Sequence, residues 1–308
     1  MTMSLLLNAT QTAACLPWAA LVDEIEALLQ DDSVQVPPRL VLPLAASQGF
    51  LFAMPAADAR TAMTKLITFT PGNVGSALPT IQGDVTVFDV ASGTRRLILD
   101  GPTVTARRTA AVSALAARRL APNVRGPMLI VGAGVQGQAH IEVFAAALGV
   151  QEFRIASRRR ASAEALAQHA RSLGLRADVV EDADAALADC PLAATCTPAN
   201  GVVLSALPRA DAFIAAVGAF TPQMTELAPA LCQHIARQGR IVVDAADAAH
   251  EAGDLIQAGL EVAAFTTLAQ VVRDNEKPAA SRGPVLFKSC GWAGWDLAAA
   301  RLARAAPA

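Results

Sequence analysis

The sequence predicts an α/β protein in which a doubly wound parallel sheet accompanies an α+β domain with a mostly antiparallel sheet. Three observations carry this. Four apolar residues, Met128 to Val131, run into Gly132, Gly134 and Gly137 and then into helical spacing from Gln138. Beyond them, short apolar runs near 153–157, 177–180, 192–196, 212–217 and 240–243 alternate with helical stretches, the pattern of parallel strands covered by helices. Between 34 and about 99, short β-rich pieces are instead broken by proline and glycine, as in antiparallel sheets.

At 308 residues, 53% hydrophobic and 17% charged, the chain has material for two domains, each with a core. Its net charge of −2 excludes the basic surface that a nucleic acid or an anionic membrane would require. No apolar run reaches the ~18 residues of a membrane span. The first residues lack the basic region of a secretory signal, so a cytoplasmic location is expected. Cys15, Cys190, Cys196, Cys232 and Cys290 are scattered without C-x-x-C spacing and read as buried thiols, with no metal site. The absence of tyrosine rules out a Tyr-x-x-x-Lys proton donor, and neither H-E-x-x-H nor G-x-S-x-G occurs.

In order, residues 16–30 repeat apolar side chains at helical spacing after Pro17 and predict an amphipathic helix. Strands are expected at 39–44, 50–54, 62–69, 84–88 and 95–99. In Met63-Thr-Lys-Leu-Ile-Thr-Phe69 a period of two puts Lys65 on the same face as Met63, Ile67 and Phe69. An ammonium on an apolar face is costly without an anion, which marks Lys65 as functional rather than as an edge-strand guard. Arg39 follows Pro37-Pro38 at the head of a strand. Residues 103–121 predict a long helix capped by Thr103 or Thr105, with Arg108 early in it, where a cation opposes the helix dipole and calls for a negative partner. Residues 122–127 read as a hinge. These features divide the chain into a sheet domain, 1–122 with 285–308, and a domain holding the glycine turn, 123–284.

The three glycines between strand and helix form the G-x-G-x-x-G fingerprint of a Rossmann-type dinucleotide site, in which a helix N-terminus receives the pyrophosphate. Gly132, Ala133, Gly134, Val135, Gln136 and Gly137 are the expected contacts. The second strand of an NAD-specific fold ends in a carboxylate; here it ends Ile155-Ala-Ser-Arg-Arg-Arg160. A hydroxyl and guanidinium groups suit a 2′-phosphate, so Ser157, Arg158 and Arg159 make NADP(H) the preferred cofactor and NAD(H) the alternative. His140, on the nucleotide side, reads as a structural histidine.

Taken together, Lys65 in Met-Thr-Lys-Leu-Ile-Thr-Phe, Val104-Thr-Ala-Arg-Arg-Thr-Ala with Arg108, the glycine turn, Val217-Gly218 leading to Glu226-Leu227, Glu251-Ala-Gly-Asp254 and Phe287-Lys-Ser289 resemble the ornithine cyclodeaminase and mu-crystallin family over nearly the whole chain. The resemblance implies a homodimer with the sheet domain building the dimer contact and the substrate pocket. It implies a small α-amino or cyclic imino acid whose carboxylate meets Arg39, Lys65 and Arg108, with Lys65 the catalytic candidate and Thr80 lining the pocket. Thr197, Val217 and Gly218 join the cofactor candidates. One departure is informative. Cyclodeaminases carry an aspartate shortly after the V-G pair, where this chain has Phe220. That replacement resembles the family's ketimine reductases, which reduce Δ1-pyrroline-2-carboxylate and Δ1-piperideine-2-carboxylate. An alanine-type dehydrogenase, a cyclodeaminase and a crystallin-like NADPH-dependent binding protein are the alternatives. Met54, Phe220 and Trp292 are candidates for setting ring size.

Overall fold

In a computed structural model that describes residues 5–73, 76, 78–198, 200–277 and 283–306, the chain divides into two units, one running to Arg108 and resuming at Trp292, the other spanning Thr109–Gly291. The first holds β1 (Leu5–Leu6), α1 (Ala9–Ala14), α2 (Trp18–Leu29), β2 (Leu40–Leu44), β3 (Gly49–Ala57), β4 (Thr61–Phe69), β5 (Ile81–Asp89) and β6 (Arg95–Asp100). They form one sheet in the order β1-β6-β5-β4-β3-β2, antiparallel except for the parallel β1–β6 pair. Along β4, Thr61, Met63, Lys65 and Ile67 are buried, as the period of two requires. That face is covered by the helix Ala293–Ala305, which packs on β3, β4 and α2. Arg301 fastens this helix to Glu24, Asp31 and Asp58, and Arg304 fastens it to Asp89.

The helix predicted over 103–121 is α3 (Gly101–Leu120). Its cap is Asp100 rather than Thr103 or Thr105: the carboxylate accepts the Thr103 N–H at 2.8 Å and the Thr103 hydroxyl. Asp100 serves better because it adds a negative charge at the positive end of the helix dipole.

The second unit contains β7 (Met128–Val131), α4 (Val135–Leu148), β8 (Glu152–Ala156), α5 (Arg160–Ser172), β9 (Arg176–Val179), α6 (Ala183–Leu187), β10 (Leu192–Thr195), β11 (Asn200–Leu204), β12 (Phe213–Ala216), β13 (Thr225–Leu227), α7 (Pro229–Gln238), β14 (Arg240–Val243), α8 (Ala248–Glu251), α9 (Gly253–Gln257), β15 (Thr266–Thr267), α10 (Leu268–Arg273) and β16 (Val285–Lys288), and α11 (Ala293–Ala305) follows in the first unit. Eight strands make an all-parallel sheet in the order β15-β14-β16-β12-β10-β7-β8-β9, while β11 and β13 pair separately. Every residue of β7, β10, β12 and β16 is buried, as expected of strands covered on both faces. The chain runs outward from β7 through β8 and β9, then restarts at β10 on the other side of β7. This reversal is the switch point at which open α/β sheets bind ligands, outside the carboxyl ends of the strands.

Val285-Leu286-Phe287-Lys288, grouped by sequence with the first domain, is a central strand of this parallel sheet, paired with β12 and β14. The crossings between units accordingly fall at Arg108/Thr109 and Gly291/Trp292 rather than at 122/123 and 284/285. Among the described residues, no helix is long and apolar enough to cross a membrane.

Candidate active site

The charge expected on the face of β4 is there, and its partner is one that sequence reasoning missed. Lys65 lies on an interior strand, between β3 and β5, so a role as an edge guard does not apply. Its side chain is wholly buried, with Nζ at 3.0 and 2.8 Å from the two carboxylate oxygens of Asp296 on α11. Arg108, on α3 and also buried, donates Nε–H to Asp296 Oδ1 at 3.2 Å. Asp296 is thus the negative partner of Arg108; α3 starts at Gly101, so Arg108 is its eighth residue, beyond the first turn, and it is burial rather than the helix dipole that calls for the carboxylate. Two cations share one carboxylate, which leaves an excess of positive charge where charge is expensive.

Burial pushes the Lys65 ammonium down to about 8, the neighbouring Arg108 and Arg39 add to this, and Asp296 opposes it. Arg39, half-buried ahead of β2, therefore acts on Lys65 through its field, and its guanidinium lies over the Phe52 ring at 5.6 Å. Met54 stands opposite Lys65 on β3 and is buried. Among the described residues Thr80 makes no hydrogen bond to the cluster: it is half-buried before β5, and its carbonyl accepts the Thr70 N–H at 2.8 Å. Nearby Trp292 precedes α11 and meets Trp295 edge-on at 4.8 Å.

In the second unit the glycine turn has the shape a pyrophosphate needs. Gly132 has φ +115°, and a Cβ on it would come within 2.7 Å of the Cys196 carbonyl oxygen. At Gly137 a Cβ would meet the Gly132 carbonyl oxygen at 2.1 Å, so helix and strand pack at glycine distance. Gly134, the N-cap of α4, faces open space: a Cβ there would meet nothing within 4 Å. Ala133 and Gln136 flank it, and Val135 is exposed. The first N–H groups of a 14-residue helix thus point past an unobstructed glycine, which fits a dinucleotide pyrophosphate.

Beyond β8, Ser157 is half-buried, and Arg158 and Arg159 are exposed and form no ion pair among the described residues. Arg160 is committed elsewhere, to Glu181 at 2.7 Å and Glu164 at 3.7 Å.

Thr197 and Gly218 are brought together by Glu226, a carboxylate that the sequence reading noted without giving it a role. Glu226 is fully buried and accepts from Thr195 Oγ1 (3.0 Å), Thr197 N (2.7 Å), Thr197 Oγ1 (2.9 Å), Gly218 N (2.7 Å) and Ala219 N (3.3 Å). Val217 is half-buried beside Gly218. Asp254 on α9 accepts the backbone N–H groups of Glu226 and Leu227 at 2.6 and 2.9 Å, and it pairs with buried Lys288 at 2.7 Å. Burial opposes the ionisation of both, but each charge outweighs it for the other: Asp254 is held below the usual carboxylate range and Lys288 above the usual lysine range. Asp244 accepts Ser289 Oγ and the Cys290 and Gly291 N–H groups, which fixes the chain as it leaves β16.

His140 on α4 is buried between the Gln136 carbonyl at 2.8 Å and Ser113 Oγ at 2.9 Å, and burial pushes it down to about 4. A neutral imidazole joining α4 to α3 within the second unit has a structural role. Phe220 is partly buried against the second unit's core.

A profile described as the ornithine cyclodeaminase/mu-crystallin family matches residues 4–306. The Δ1-pyrroline-2-carboxylate reductase 1 of Burkholderia multivorans is 37% identical over 306 residues, covering 96% of this chain and 94% of that protein. The ketimine reductase mu-crystallin of Mus musculus is 36% identical over 276 residues, covering 88% and 85%. Among solved structures, Thermococcus litoralis Δ1-pyrroline-2-carboxylate reductase in complex with NADH and L-proline aligns with a TM-score of 0.89 at 24% identity, covering 97% of this chain and 96% of that one, a likeness of fold. An archaeal alanine dehydrogenase dimer with bound NAD has the same architecture, with a TM-score of 0.88 at 23% identity over 98% and 95% of the two chains. With the profile spanning both units and relatives above 30% identity along nearly its full length, the chain belongs to the ornithine cyclodeaminase/mu-crystallin family.

Proposed function

We propose that this chain reduces the cyclic ketimine carboxylates Δ1-pyrroline-2-carboxylate and Δ1-piperideine-2-carboxylate to L-proline and L-pipecolate, with NADPH preferred over NADH. The observation that carries the reading is the buried group of Lys65, Asp296 and Arg108, in which two cations share one carboxylate. Such a group has room, electrostatically, for one more anion, and a substrate carboxylate supplies it. A bound dihydronicotinamide supplies the hydride that adds to C2 of the imine.

Every other part belongs to the chain. Arg108, with Lys65 and Arg39, binds and orients the carboxylate, and orientation of a bound electrophile accounts for much of such a rate. The Lys65 ammonium holds a proton near neutral pH and can place it at the imine nitrogen. Phe220 in place of an aspartate leaves the substrate amine of a cyclodeaminase without its carboxylate, which favours an imine over ornithine. Thr80 and the cofactor positions Thr197, Val217 and Gly218 complete the proposed contacts. Support for NADPH comes from Arg158 and Arg159, two exposed guanidinium groups without a carboxylate, beside Ser157. A second copy of this chain is the proposed partner, because β2, at the sheet edge, exposes Leu40 (57%), Val41 (44%) and Leu42 (49%), an apolar stretch ill suited to water.

The test follows NADPH and NADH oxidation with each cyclic imine, with pyruvate plus ammonia, and ornithine turnover with NAD+. Turnover of the imines with NADPH is expected to lead; faster turnover with pyruvate plus ammonia would assign an alanine-type dehydrogenase instead. Lys65→Met is expected to reduce imine turnover at least about a thousandfold, on the scale of a lost acid and a lost charge, with NADPH binding unchanged. Turnover near the wild-type rate would remove Lys65 from its role.

A further inference from the structure

We propose that Glu226 is a positioning residue for the nicotinamide half of the cofactor, acting through the two chain segments it ties together, Thr197 and Gly218–Ala219. The inference rests on the dinucleotide reading above and concerns only the second unit.

In a doubly wound sheet each half of a dinucleotide lies over its own half of the strands, with the pyrophosphate at the first glycine turn. Here the β7–β8–β9 half ends in Ser157 and the arginines that suit the adenosine 2′-phosphate. The other half, over the ends of β10 and β12, is left for the nicotinamide. Those ends are where Glu226 works. Its Oε1 takes both the N–H and the hydroxyl of Thr197, past β10, and its Oε2 takes the Gly218 and Ala219 N–H groups, past β12, together with the hydroxyl of Thr195. A Cβ on Gly218 would lie 2.0 Å from the Thr197 carbonyl oxygen and 2.4 Å from Glu226 Oε1, so the two segments approach at a distance only glycine permits.

The tie is itself anchored. Asp254 holds the backbone of Glu226, Lys288 holds Asp254, and Lys288 also donates to the Ala219 carbonyl at 2.6 Å. The 218–219 segment is thereby gripped by its N–H groups from Glu226 and by a carbonyl from Lys288. Five donors converge on the carboxylate, and an amide at this position would turn an NH2 group toward at least one of them. Apolar packing could join two strand ends as firmly, because a buried ion is a poor source of net stability. What the carboxylate adds is a fixed direction for Thr197 and for the Gly218 peptide.

The test compares binding of NADPH with binding of 2′,5′-ADP, which carries the adenosine 2′-phosphate but no nicotinamide, to wild type, Glu226→Gln and Thr195→Val. Glu226→Gln is expected to raise the NADPH Kd about tenfold or more, on the scale of a hydrogen bond to a charged group, and Thr195→Val, which removes one of five donors at constant volume and leaves the four that hold Thr197 and Gly218–Ala219, only about threefold. The 2′,5′-ADP Kd is expected to stay within about twofold for both. Parallel weakening of both ligands, or no change in either, overturns the proposal and leaves Glu226 a structural carboxylate. Should Glu226→Gln fail to fold, Thr195→Val decides alone by the same comparison. If wild type binds neither NADPH nor NADH, it is the dinucleotide reading that fails, a result distinct from the other two.

Discussion

Asp296→Asn separates a counterion from a mere packing contact. The substitution keeps size and a hydrogen-bond acceptor but deletes the one negative charge shared by Lys65 and Arg108. With Nζ 2.8 Å from the nearer carboxylate oxygen, the attraction at an effective dielectric of 20 is about 5 to 6 kcal/mol. The Asn carbonyl and entering water restore about half of that, so Lys65 is expected to fall by about two pK units, from about 8 to about 6. Lysine works as an ammonium, so activity is present below its pKa and is lost as pH rises through it. At pH 8 the ammonium fraction drops from about one half to about one hundredth, and at pH 6 from nearly all to about one half. The expected loss in kcat/KM for Δ1-pyrroline-2-carboxylate is therefore about fiftyfold at pH 8 but only about twofold at pH 6. The assay is the pH profile of NADPH oxidation for both enzymes, in which the imine's own protonation is common and cancels. An equal loss at both pH values, with the alkaline limb still near 8, would refute the counterion argument.

Two further outcomes test the dinucleotide site proposed in the second unit. Arg158→Asp is expected to weaken NADPH about tenfold more than NADH in fluorescence titrations, because only the former carries a 2′-phosphate; equal losses would remove the basis for preferring NADPH. Gly134→Ala should leave the thermal midpoint within about 2 °C of wild type, since its φ of −103° suits alanine and the new Cβ meets nothing. The same methyl occupies the space a pyrophosphate would enter, so affinity for both dinucleotides is expected to fall about tenfold or more. Unchanged affinity would place the phosphates elsewhere.

The strands and the glycine turn were legible because their periods are local. Lys65 stood out for the same reason: a charged residue at a buried position of a period-two pattern contradicts its surroundings, and Met63 and Ile67 beside it make the contradiction plain. The partner was not legible. Asp296 lies 231 positions away in sequence, a single carboxylate in an alanine-rich helix, and nothing local separates it from a surface residue; its only signal is that apolar Trp295 and Leu297 flank it. Strand 285–288 was assigned to the wrong side of a boundary because an apolar tetrapeptide does not state which sheet it enters, and the helix after it does go to the first unit. The β11–β13 pair and the two-residue β15 escaped because such short pieces gain their order from neighbours rather than from propensity. Glu226 and Asp254 were visible as parts of a family pattern, but their work is to accept backbone N–H groups, and sequence does not record which backbone lies opposite.

Lysine is scarce in this chain, and its placement has a practical consequence. Of Lys65, Lys277 and Lys288, only Lys277 is exposed, while the first unit seals one amine in its core and the second unit seals another. An amine-directed reagent therefore meets Lys277 at once, and meets Lys65 or Lys288 only when the surrounding unit opens. Mass-resolved acylation over time thus becomes a two-channel clock for local unfolding, with one internal reporter per unit and no engineered label.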